Sequence, residues 1–173
     1  ILQEEATEDI EKMAAIVPGD KPYLKTGTFE TWKKRIPWLL FLMISATFTG
    51  RIISSFEDAL SACTALTIFI PMLMDTGGNA GSQTSVTIIR GLSLKEIRFK
   101  DLFRVIWKEI RVAVLCGLTL AAANFVKMMI IDRVGTQVAL VVCVTLVITV
   151  FCSKIVGCIL PMLADRLGFD PAV

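Results

Sequence analysis

What most constrains this chain is a series of apolar runs, each near the roughly 20 helical residues needed to cross a hydrocarbon core of about 30 Å. They cover residues 36–56, 59–90, 112–131 and 134–164, and short charged or polar turns separate them. Inside a bilayer the backbone finds no water, so a run of this kind must bond its own N–H and C=O groups as helix. With 54% of its 173 residues hydrophobic and a mean hydropathy of +0.68, the chain is too apolar for a soluble domain of its size. The expected fold is an all-α integral membrane protein with four transmembrane helices in residues 36–166.

The flanks of these runs carry the orientation. Lys33-Lys34-Arg35 stands directly before Ile36-Pro37-Trp38, an order that sets cations at the headgroups and Trp in the interfacial belt. One side of the membrane collects Lys33, Lys34, Arg35, Arg90, Lys95, Arg98, Lys100, Arg104, Lys108, Arg111 and Arg166, and the other only Arg51, Lys127 and Arg133. The positive-inside rule then makes the N-terminus cytoplasmic, in a multi-pass protein of the cell membrane.

Residues 1–17 read as a short acidic helix and residues 18–35 as a linker, broken by Pro18-Gly19-Asp20-Lys21-Pro22. The acidic start is neither a signal nor a transit peptide and reads as a cut inside a longer protein. In residues 167–173, Gly168 stops a helix while Asp170 and Pro171 suit an N-cap and a first helical position. A further helix is expected to begin there.

Several function classes are excluded. The chain has no histidine, which removes the usual zinc ligand sets, a Ser-His or Cys-His pair and a histidine relay. Its five cysteines stand singly in apolar segments and read as small buried hydrophobes. No nucleophile–base constellation points to an enzyme. A net charge of +2 gives no nucleic-acid signal.

The chemistry gathers in one block. Gly77-Gly78-Asn79-Ala80-Gly81-Ser82-Gln83-Thr84-Ser85 is small or polar throughout, at membrane depth, where unpaired groups facing lipid cost several kcal/mol each. Pro71, shortly before it, is expected to weaken the helix ladder. Two readings fit: a close helix–helix contact, or a water-filled path lined by carbonyl oxygens and by the amides of Asn79 and Gln83. Neutral oxygens suit a hard cation that keeps part of its hydration shell. Asp75 borders the block, and Glu57 and Asp58 sit at an outer turn where they could gather cations or simply be solvated. Lys154, inside the fourth run, is expected to pack internally or reach the surface, since a fixed cation in a cation path would repel its substrate.

Pro71-Met72-Leu73-Met74, the Gly77 to Gln83 block and Ile89-Arg90-Gly91-Leu92 closely resemble the MgtE magnesium transporter/channel family. The resemblance continues through Lys108-Glu109, Gly117-Leu118-Thr119-Leu120, Pro161 and Gly168-Phe169-Asp170-Pro171-Ala172. It implies a homodimer in the lipid bilayer with five spans per subunit and a pore on the dimer axis, lined by the second and fifth spans. It also implies that Mg2+ is both cargo and regulator. Gly77, Gly78, Asn79, Gly81, Ser82, Gln83, Pro71 and Asp75 would border the ion path, with Asn79 touching the metal and Glu57 and Asp58 at the mouth. Glu8 and Asp9 match acidic positions that bind regulatory Mg2+ near the end of a cytoplasmic CBS-type region, and residues 28–35 would end the helix that closes the pore. Ser82 stands where some relatives have asparagine. The family's central aspartate lies on the fifth span. Two other functions remain open: a secondary carrier with a broken-helix site, and a non-conducting assembly module.

Overall fold

The computed structural model describes Ile10, Lys12 and residues 23–170. Its described residues divide into two compact units, one up to residue 59 and the other from residue 60 onward. Among the described residues all regular structure is helical. Three stretches, Thr28–Ser55, Phe99–Asp132 and Thr136–Arg166, are long and apolar enough to cross a membrane. The chain is a membrane protein.

In the first unit a 3-10 turn, Tyr23–Lys25, precedes helix α1, Thr28–Ser55. Extended Gly27 opens α1, its carbonyl accepting the Thr31 N–H at 3.0 Å and the Thr31 hydroxyl at 3.2 Å. No residue of α1 is buried. Its hydroxyls fold back on the helix: Thr47 donates to the Met43 carbonyl at 3.0 Å and Ser55 to that of Ile52 at 2.6 Å. These groups therefore bring no unpaired donor to the apolar surface around Leu39, Phe41 and Phe48, which is what a lipid-facing helix requires. A short helix α2, Glu57–Ala62, follows, with Glu57 and Asp58 in its first turn, where the positive end of the helix favours carboxylates.

The second unit is built from α3 (Ile70–Ser93), α4 (Leu102–Lys127) and α5 (Thr136–Arg166). The run over residues 59–90 is not one helix. α2 gives way to a 3-10 segment, Thr64–Phe69, before α3 begins. Pro71 lies in the first turn of α3, where its missing N–H would be unpaired in any case. It starts the helix and does not weaken it. From there α3 runs unbroken through the polar block.

α5 is the central element and packs against both α3 and α4. Among its buried residues, Ala139, Val142, Leu146, Val150, Lys154, Cys158 and Met162 recur every three or four positions, a stripe along the helix. Three apolar clusters follow that stripe. Phe69, Met128, Ala139 and Val142 form one end, Ala80, Leu146 and Val150 the middle, and Ile88, Leu92, Cys158 and Met162 the other end. In lipid such packing is held by close contact and dispersion and not by exclusion of water. Left-handed residues follow two of these stretches: Arg133, at φ 49°, follows the π-turn Met128–Asp132. Gly168, at φ 78°, closes α5, with the Phe169 N–H donating to the Ala164 carbonyl at 2.9 Å.

Candidate functional site

The polar block is divided by the period of the helix that carries it. Gly77, Ala80, Thr84 and Ile88 are buried, whereas Asp75, Gly78, Asn79, Ser82, Gln83 and Val86 are exposed. At about 3.6 residues per turn, positions 75, 79, 82 and 86 fall on one line, opposite positions 77, 84 and 88. The exposed line is polar over its first three members. Asn79 Nδ2 donates to Asp75 Oδ2 at 3.1 Å, so the amide and the carboxylate share one surface.

The buried line serves packing. A Cβ added to Gly157 of α5 would collide with the Gly81 carbonyl oxygen, and one added to Gly77 would lie 2.7 Å from Thr149 Cγ2. The backbones of α3 and α5 meet there because Gly77 and Gly81 face Thr149, Ser153 and Gly157, small residues spaced by four on both helices.

Between the two faces lies an open groove of about 510 Å³. Thr76, Asn79 and Gln83 of α3 form one wall, Cys116 and Thr119 of α4 another, and Val150 and Lys154 of α5 the floor. Behind the groove is a polar cluster joining all three helices. The Lys154 ammonium donates to Thr84 Oγ1 at 3.2 Å, and the Thr84 hydroxyl donates to Glu109 Oε2 at 3.2 Å. Lys154 Nζ and Glu109 Oε2 are 4.0 Å apart. Thr84, Glu109 and Lys154 are exposed by only 3%, 9% and 5%, so each charge depends on the other for neutralisation. Among the described residues no buried side-chain nitrogen or oxygen lacks a partner.

Pro71 and Asp75 lie on the exposed face of α3, and Glu57 and Asp58 at the start of α2. Glu8 and Asp9 lie outside the described residues. Lys127 pairs with Asp132 at 2.9 Å and lies over the Phe69 ring. Lys154 packs internally, the first of the two outcomes expected for it. Among the described residues, no three acidic or thiol side chains are grouped to hold a metal ion.

Two features were not anticipated. Because α3 is continuous, the carbonyl oxygens of the block accept bonds from their own helix, and side chains, not carbonyls, form its open surface. The Thr84–Glu109–Lys154 cluster is hidden in the sequence, since Glu109 sits among the basic residues Lys108 and Arg111. A buried lysine in an apolar run was the available signal, as such a group needs a counter-charge.

Residues 70–173 match a family model described as MgtE, divalent cation transporter. The chain is 40% identical over 177 residues to a magnesium transporter MgtE of Thermus thermophilus. It is 34% identical over 173 residues to the protein of that name in Bacillus subtilis, and 30% over 176 residues to that in Enterococcus faecalis. Each alignment takes in all of this chain and 38%, 38% and 37% of the respective relative. The chain thus spans less than two fifths of the length of the curated relatives it matches.

Proposed function

The chain belongs to the MgtE family of divalent cation transporters, and from that premise we propose that it is the membrane-embedded part of a Mg2+ transporter in which α3 lines the ion path. The observation that carries this reading is the open polar line Asp75, Asn79, Ser82 on α3, a helix packed along α5, which is long and apolar enough to cross a membrane. Such a line cannot face lipid and calls for water or a second protein surface. Two copies related by a two-fold axis would set two of these lines opposite each other and double each ligand. Mg2+ gives up water reluctantly. Amide and carboxylate oxygens across a hydrated gap suit it better than a tight cage.

In this reading Asp75, Asn79, Ser82 and Gln83 contact the hydrated ion, Gly78 leaves room for it, and Gly77 and Gly81 hold α3 against α5. Pro71 begins the lining helix. Glu57 and Asp58 concentrate cations at the outer mouth, and cytoplasmic Mg2+ bound with the help of Glu8 and Asp9 controls opening. The N-terminus is cytoplasmic, in the cell membrane. Permeation is channel-like; an unbroken α3 weighs against a carrier built around a broken helix at this block.

The test is Mg2+ flux through the full-length protein in vesicles. Asn79→Ala removes an oxygen that bonds the hydrated ion, an interaction of about 1.5–3 kcal/mol when a charge takes part, so flux is expected to fall roughly tenfold or more. Unchanged flux in Asn79→Ala and Gln83→Ala, or equal passage of monovalent ions in wild type, would overturn the reading.

A further inference from the structure

Lys154 presents a difficulty for a cation path along the groove. Lys154 lines the groove together with Asn79, Gln83 and Thr119, and its ammonium lies in the cluster directly behind it. A bare ammonium there would repel every cation passing the polar line. The cluster behind the groove removes the difficulty: Glu109 lies 4.0 Å from the ammonium, and Thr84 bridges the two by donating to one and accepting from the other. All three side chains are buried, so water screens the pair little and the cancellation is local.

We propose that Glu109 is a charge-compensating, selectivity-positioning residue of the ion path: it cancels the field of Lys154 in the groove floor and so admits divalent cations. This rests on the reading of α3 as the path lining. Glu109 does not touch the ion. It acts through Lys154, and the consequence is specific, because repulsion by a fixed charge scales with the charge of the ion. An unpaired Lys154 therefore lowers divalent passage by about the square of the factor by which it lowers monovalent passage.

That scaling separates an electrostatic role from a structural one. The experiment uses the full-length protein in planar bilayers or vesicles, measuring Mg2+ flux and, in divalent-free solution, Na+ flux. Glu109→Gln leaves an unpaired cation, Lys154→Gln leaves an unpaired carboxylate, and the double variant leaves neither. The expected result is a fall in Mg2+ flux of about tenfold or more in Glu109→Gln, against a threefold fall for Na+. In Lys154→Gln the Mg2+-over-Na+ ratio rises above wild type, and in the double variant it returns to within about threefold of wild type.

A purely structural role predicts that both single variants, each with one stranded buried charge, lose the two fluxes alike with the ratio unchanged. That outcome, or undiminished Mg2+ flux in Glu109→Gln, overturns the proposal. Should Glu109→Gln fail to fold, as judged by gel filtration, Lys154→Gln decides: a ratio at or below wild type overturns it. A folded wild type that passes no Mg2+ instead overturns the underlying reading of the path, and is recognised by the wild-type control alone.

Discussion

Thr84 shows how much one hydroxyl can be asked to do in a low-dielectric interior. It accepts from Lys154 and donates to Glu109, both at 3.2 Å, and it is 3% exposed. Thr84→Val keeps the shape and removes both bonds, leaving the ion pair without its bridge. A loss of about 1–3 kcal/mol in stability is expected, measured by thermal unfolding of the full-length protein in detergent. Thr87→Val is the control, because the Thr87 hydroxyl lies on the exposed face and only donates to the Gln83 carbonyl at 2.7 Å. If the two variants melt alike, the cluster contributes nothing beyond an ordinary helix hydroxyl. The sequence showed a lysine in an apolar run, yet its bridging partner stands 70 residues away. Only folding reveals such a pair.

At the scale of elements, the contact of α3 with α5 decides which face of the polar block is left open. Gly157 meets the Gly81 backbone, while the space beside Gly78 is empty to 4 Å. Gly157→Val forces the backbones apart and is expected to destabilise by about 1–3 kcal/mol or more. Gly78→Ala, in a helix with free space, is expected to be neutral or to stabilise by about 0.5–1 kcal/mol. Thermal unfolding of the two variants side by side checks this, and a reversed order would show that the packing face has been misassigned. Much of this level was legible in the sequence. The runs that became α1, α4 and α5 were visible as apolar stretches bounded by charge, and Gly168 as a stop where φ is 78°. The 3-10 segment Thr64–Phe69 was not, because Thr-Ala-Leu-Thr-Ile-Phe is apolar and hydropathy does not distinguish one helix type from another. The glycine-rich block likewise suggested free carbonyl oxygens, although lipid leaves its backbone little alternative to helix.

For the whole molecule, the apolar exterior and the polar line of α3 make opposite demands. Leu118, Leu140 and Val144 are exposed and suit lipid, whereas Asp75, Asn79 and Ser82 do not. In the proposed reading, a two-fold pair that encloses the polar line meets both demands. Ser82→Cys in the full-length protein, with native cysteines replaced, is therefore expected to form a disulfide-linked or short-reagent-linked dimer. Val144→Cys, on the lipid-suited surface, is expected to remain monomeric on a denaturing gel, and equal cross-linking at both would contradict the pairing. The central claim is that this line faces a water-filled Mg2+ path, and cysteine accessibility along α3 tests it most directly. Single cysteines at positions 75 to 88 of the full-length, otherwise cysteine-free protein in membranes would be exposed to a membrane-impermeant thiol reagent, with and without Mg2+. The account predicts rapid modification at 75, 79 and 82, slowed by Mg2+, and protection at 77, 84 and 88. Protection at 75, 79 and 82, or modification indifferent to helix face, would contradict it.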